Sequence, residues 1–287
     1  MVLSLRKEFR VKNFGFQDVH IGRFCTFQWR LPGSIFLIYR IVIAIYVIVW
    51  LSLTANDSSG GFLGSLSWGA FLTNWTYILL TLYFTYYAVL TIIVYLARWR
   101  SPRNLFRRQQ SSEHWQLFSE MSANGYEEVP SDGEVSAVTT YTRSPVPWYY
   151  AIVWILLNAA SVGAIMVSLV FWAILVPGSN LGQMTNSNIQ LHLINSVLIL
   201  IEHAVIAIPI RLLHVIYPLI YGVIYVFFSV FYWVDDHSHV MYEILNWNNP
   251  GPTIGFVILI GFVIIPIIHI LIYCLYRLKM NIFHRYC

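Results

Sequence analysis

Four side chains able to do chemistry fall within one apolar stretch. Leu191–His203 reads LHLINSVLILIEH and carries His192, Asn195, Glu202 and His203. On a helix these residues fall at about 0°, 300°, 280° and 20°, a single polar stripe about a quarter of the circumference wide. At membrane depth such groups cost several kcal/mol unless they face the bundle interior and find partners. The stripe is therefore expected to turn inward, with neighbouring helices packed around it. The plainer alternative to catalysis is a buried hydrogen-bond network that only fastens helices together.

A second residue gives the stripe a chemical use. Thr73, in Phe71-Leu72-Thr73-Asn74-Trp75-Thr76, opens one apolar run, and His192 opens another from the same side. The two are expected at similar depth. A hydroxyl beside an imidazole is the minimum for nucleophilic catalysis, because the base takes the hydroxyl proton as the oxygen attacks. Asn195, one turn below His192, is placed to orient the ring or to donate to an oxyanion. Glu202 lies about 15 Å further along the axis and needs an intervening group to reach His192. His192 and His203 are too far apart to chelate one metal. Threonine is also a fair N-cap, which is the other reading of Thr73.

The elements that must position these residues are membrane spans. The chain has 287 residues, of which 58% are hydrophobic and only 10% charged, against about 25% charged in soluble domains. Its mean hydropathy is +0.64. Six apolar runs are long enough to cross a bilayer at about 20 residues each: roughly 35–55, 72–97, 148–176, 190–209, 212–232 and 252–276. The expected fold is all-α, a six-helix transmembrane bundle. The fourth and fifth runs form a tight hairpin around Arg211, with Pro209 and Pro218 near the turn, and Pro266 predicts a bend in the last run. The remaining divisions are a basic head over 1–34, a loop over 98–147 and a tail over 277–287.

Charge gives the orientation. All 17 Lys and Arg fall on one side of a six-span layout: in the head, at Arg40 near the start of the first run, in the long loop, at Arg211 and in the tail. The other side, residues 56–71, 177–189 and 233–251, has none. The positive-inside rule then places both termini in the cytoplasm. No signal-peptide core precedes residue 35, so the first run is expected to act as an uncleaved anchor.

The loop changes composition along its length. Arg98–Arg108 is a basic cluster suited to anionic lipid headgroups, at about 1 kcal/mol per charge. Ser111–Arg143 is polar and acidic, and is expected to be a disordered linker. Asn56-Asp57-Ser58 is a glycosylation sequon on the outer side. Cys25, Cys274 and Cys287 lie at or near the cytoplasmic side, where Cys25 and Cys287 are candidates for palmitoylation and a free thiol is the alternative. Asp235-Asp236-His237-Ser238-His239 has metal-ligand chemistry, but in a water-facing loop it reads as solvated polar residues, so no metal site is assigned. No phosphate-binding glycine loop, cofactor motif or nucleic-acid signature is present. Protein partners are not legible.

The run Phe71-Leu72-Thr73-Asn74-Trp75, with His192 and a glutamate ten residues later at Glu202, resembles the rolling stone family of insect membrane proteins. The head segment Phe24-Cys25-Thr26-Phe27-Gln28-Trp29-Arg30 and the six-span layout are similar to that family too. The family is known for a role in myoblast fusion. It is distantly similar to the androgen-induced and androgen-dependent membrane hydrolases, which cleave fatty-acid esters of hydroxy fatty acids with a threonine nucleophile and a histidine. That likeness implies Thr73 and His192 as a catalytic pair, supported by Asn195, Glu202 and His203. One departure is Asn188, which stands where the hydrolases carry a second histidine.

Three readings follow. The first, implied by the resemblance, is a membrane protein acting in cell–cell fusion at the plasma membrane rather than the endoplasmic reticulum. The second is an intramembrane hydrolase with a lipid-ester substrate. The third is a small transporter or channel, against which stands the lack of an internal repeat or broken half-helices.

Overall fold

The computed structural model describes residues 8–17, 19–29, 31–56, 68–100, 146–176 and 185–286. The stretch Ser111–Arg143, most of the Arg98–Arg108 cluster, the sequon residues Asp57 and Ser58, and Cys287 lie outside them.

Six helices are long and apolar enough to cross a membrane. They are α1 (Gly33–Asn56), α2 (Leu72–Arg100), α3 (Trp148–Leu175), α4 (Asn186–Val205), α5 (Leu212–Asp235) and α6 (Pro250–Tyr286). Among the described residues there are no strands, only one antiparallel bridge between Phe27 and Ile206.

Helix α3 is the central element. Its most apolar stretch is 67% buried, against 17% for α6. Small residues let the neighbours approach, as is usual between helices in lipid. At Gly163 a Cβ would stand 3.1 Å from the Thr76 methyl group of α2, so that contact depends on glycine. The outward faces carry exposed apolar residues such as Ile38, Val42 and Ile45 on α1 and Val223 and Phe227 on α5, the surface expected to meet lipid.

Three of the helices contain a π-helical turn: Phe171–Leu175 in α3, Gln190–Ile194 in α4 and Ile260–Ile264 in α6. The last sits directly ahead of Pro266. Proline has no N–H to give and its ring crowds the carbonyl four residues back, and a wider turn accommodates both.

The C-terminal ends of α4 and α6 differ from the expected runs for identifiable reasons. Helix α4 stops at Val205 rather than near 209, because Ile206 is extended and Pro209 disfavours helix in the residue before it. Residues 206–211 then cross the bundle as a buried segment, with Ile206, Ala207, Ile208 and Ile210 at most 1% exposed. Helix α6 continues past 276 to Tyr286, because Lys279, Met280 and Phe283 face the protein rather than water.

The head is packed into the bundle. Phe24 and Phe27 are buried in the core, and Phe16 sits against Trp154, His214 and Tyr217. Arg211 donates from Nη1 to the Gly15 carbonyl at 2.7 Å and from Nη2 to the Gln17 carbonyl.

Candidate functional site

The polar stripe of α4 faces inward. His192, Asn195, Glu202 and His203 are all buried, even though the π turn at 190–194 departs from regular helical spacing. Each then finds different company.

Glu202 is the centre of the largest network. Its carboxylate accepts from Arg40 Nη1 at 2.6 Å, from the Tyr83 hydroxyl at 2.5 Å and from the Tyr39 hydroxyl at 2.8 Å. Arg40 and Glu202 are both 0% exposed. The guanidinium lies 3.8 Å from the ring centroid of Tyr87 and 4.7 Å from that of Phe36, so aromatic faces stabilise its cationic surface. Its Nε and Nη2 have no hydrogen-bond partner. The Tyr87 hydroxyl in turn donates to the Phe24 carbonyl at 2.8 Å, tying this centre to the head. The network joins α1, α2 and α4, with every acceptor on Glu202 met from within the chain.

Toward the other end of α4, Gln190 repeats the pattern. It accepts from the Tyr46 hydroxyl of α1 at 2.7 Å and donates to the Tyr77 hydroxyl of α2 at 3.0 Å. His203 meets Ser161 of α3, with 2.7 Å between Nε2 and Oγ. Ser161 gives its hydrogen to the Leu157 carbonyl, so the imidazole N–H is the donor.

Beyond Glu202, five successive carbonyls at the end of α4 are claimed. Lys279 Nζ donates to the carbonyls of His203 and Ile206, both at 2.7 Å. Trp29 Nε1 donates to Ala204 at 2.9 Å, the Gln28 backbone N–H to Val205 at 2.8 Å, and Arg23 Nε to Ala207 at 2.8 Å. A helix leaves its last carbonyls without partners, and cations favour that end. Here the head and α6 supply the donors together.

The proposed catalytic pair is not joined by a hydrogen bond. His192 stacks flat on Phe171, with ring centroids 3.7 Å apart and 5° between the planes, so the two π turns of α3 and α4 face each other. Its Nδ1 has no partner, and neither does Asn195 Oδ1. The Asn195 amide donates back to the Leu191 carbonyl at 3.2 Å. The Thr73 hydroxyl instead engages the hydroxyl of Tyr242. Tyr242 also accepts from the Leu72 N–H at 3.1 Å, so it caps the start of α2, a role the sequence reading weighed for Thr73 itself. Burial raises the Tyr242 hydroxyl above its usual range. Tyr242→Phe is expected to cost about 1 kcal/mol, the usual loss for a cap. Thermal unfolding in detergent measures it, and an unchanged melting temperature would remove Tyr242 from the cap role.

The other candidates are placed as follows. Cys25 is half-buried, with Sγ 3.0 Å from the Tyr150 hydroxyl, and Cys274 is exposed. Asn56 is exposed and bonds back to the Ser52 carbonyl. In the loop between α5 and α6, the Ser238 N–H holds the Asp236 carboxyl below its usual range, and His239 stacks on Tyr232 at 4.4 Å. No three potential metal ligands converge among the described residues.

Sequence reasoning missed three buried cations and a half-buried fourth. Arg40, Arg211 and Lys279 were counted as topological charges, and Arg23 as part of the head. An ionisable residue well inside an apolar run is itself the signal that a buried partner exists. Arg40, seven residues into α1, carried that signal.

A family model described as "Protein rolling stone" matches residues 142–287. The curated protein rolling stone of Drosophila melanogaster is 26% identical over 296 aligned positions, covering 98% of this chain and 92% of the relative. No solved structure matches.

Proposed function

The chain belongs to the rolling stone family, and from that premise we propose that it is an integral membrane protein serving cell–cell fusion of muscle precursors. Both termini lie in the cytoplasm in this reading, the membrane is the plasma membrane, and the basic start of the long loop rests on anionic headgroups. The protein acts as a fixed helical body rather than through chemistry of its own. The observation that supports this is the Glu202 centre: Arg40, Tyr39 and Tyr83 engage both carboxylate oxygens, and the ion pair is 0% exposed.

A second reading, an intramembrane hydrolase of lipid esters, is favoured by one observation: the buried, unpartnered Nδ1 of His192 beside the unpartnered Oδ1 of Asn195. Catalytic hydrogen bonds are often long or poorly aligned until substrate binds. On this reading Thr73 leaves Tyr242 and meets His192.

Restoring fusion in precursor cells depleted of the protein separates the two. Thr73→Ala and His192→Ala should restore multinucleate cells as well as wild type does, and neither purified variant should differ from wild type in fluorophosphonate labelling. Loss of rescue by both, at normal membrane levels and with labelling abolished, would replace the first reading with the second.

A further inference from the structure

A groove of about 500 Å³ runs between α3, α4 and α6. Its walls include Leu169, Trp172 and Ala173 of α3, Leu200 of α4 and Leu271 and Leu275 of α6. The α3 wall runs from Ile165 to Ala173 and the α6 wall from Ile268 to Leu275, about 12 and 10 Å along the helices at 1.5 Å per residue. That is close to the depth of one leaflet's hydrocarbon, half of about 30 Å.

The floor is what gives the groove its character. It is made by Ser168 and Ser196, whose hydroxyls lie 2.6 Å apart. Both also approach the Ala164 carbonyl, at 2.9 and 3.0 Å. The serines therefore spend their hydrogens on each other and on α3, leaving no free donor for an anion. No charged side chain lines the groove to hold an ion. A polar ligand would lose its own hydrogen bonds there without replacement. An uncharged chain loses none, and in a trough it touches protein on three sides rather than one, adding dispersion contacts.

We propose that this groove is a binding site for one hydrocarbon chain of a bilayer lipid. The length of its walls and the absence of charge both match that occupant.

The test is photolabelling of the full chain in phosphatidylcholine vesicles containing a phosphatidylcholine with a diazirine on its acyl chain. Labelled peptides should concentrate on 165–173 and 268–275, above the level on the lipid-facing side of α1 at Ile38–Ile45. Ala173→Phe fills the groove from α3 and Leu275→Trp from α6. Either variant, if it keeps the wild-type melting temperature, should reduce groove labelling to the α1 level. Equal labelling of groove and α1 face in wild type, unchanged labelling in a folded filled variant, or protein–protein crosslinks from the groove would each overturn the assignment. A single misfolding variant leaves the other, and the wild-type comparison, to decide.

Discussion

Glu202→Ala should be the most damaging single change in the membrane core, lowering stability by about 3–5 kcal/mol. The loss comes less from the pair itself than from what remains. Arg40 is 0% exposed, already has Nε and Nη2 without partners, and loses its carboxylate. Tyr39 and Tyr83 lose the acceptor for their hydroxyls at the same time. The double variant Arg40→Met, Glu202→Leu should be much less harmed, because no buried charge is stranded. Denaturant unfolding in detergent, run as a double-mutant cycle, measures both. A Glu202→Ala protein within about 1 kcal/mol of wild type would mean water enters this centre and that the ion pair is not what joins α1, α2 and α4.

Lys279→Met should rank second. It keeps the length of the side chain but removes two charge-assisted hydrogen bonds, each worth about 1.5–3 kcal/mol. The carbonyls of His203 and Ile206 are left without their cation, at the helix end where a positive charge helps. The effect should spread to the head, which bonds the three other carbonyls of the same row. Hydrogen exchange at Gln28 should quicken, and the half-buried Cys25 thiol should react faster with a maleimide. Unchanged exchange at Gln28 would show that the head docks independently of α6.

The membrane-spanning runs and the inward stripe were legible because both follow from one constraint, that lipid satisfies no polar group. His192, Asn195, Glu202 and His203 had to be buried whatever they did. The partner of Glu202 was not legible, since it lies 162 residues away in α1 and such pairings have no period. Thr73 shows the limit most plainly. Entering from the same side as His192 did not bring them together, because the hydroxyl turns to Tyr242, a residue of the loop between α5 and α6 with no helical pattern. The π turns were equally hidden, apart from Pro266, whose missing N–H announces a local departure. The docking of the basic head was not legible, because it depends on carbonyls that are presented only once α4 has ended at Val205.

That row of carbonyls sets an order of events during synthesis. Its donors come from residues 23–29 and from residue 279. The ribosome makes the first group ahead of α1 and the second only within α6. Until Lys279 emerges, the carbonyls of His203 and Ile206 wait without their cation, so a nascent chain stalled in α6 carries an unfinished seam at the heart of its bundle. A joint begun by residues ahead of α1 is closed only from within α6, so a surface with that seam shut reaches the cell's quality-control machinery only after Lys279 has been made.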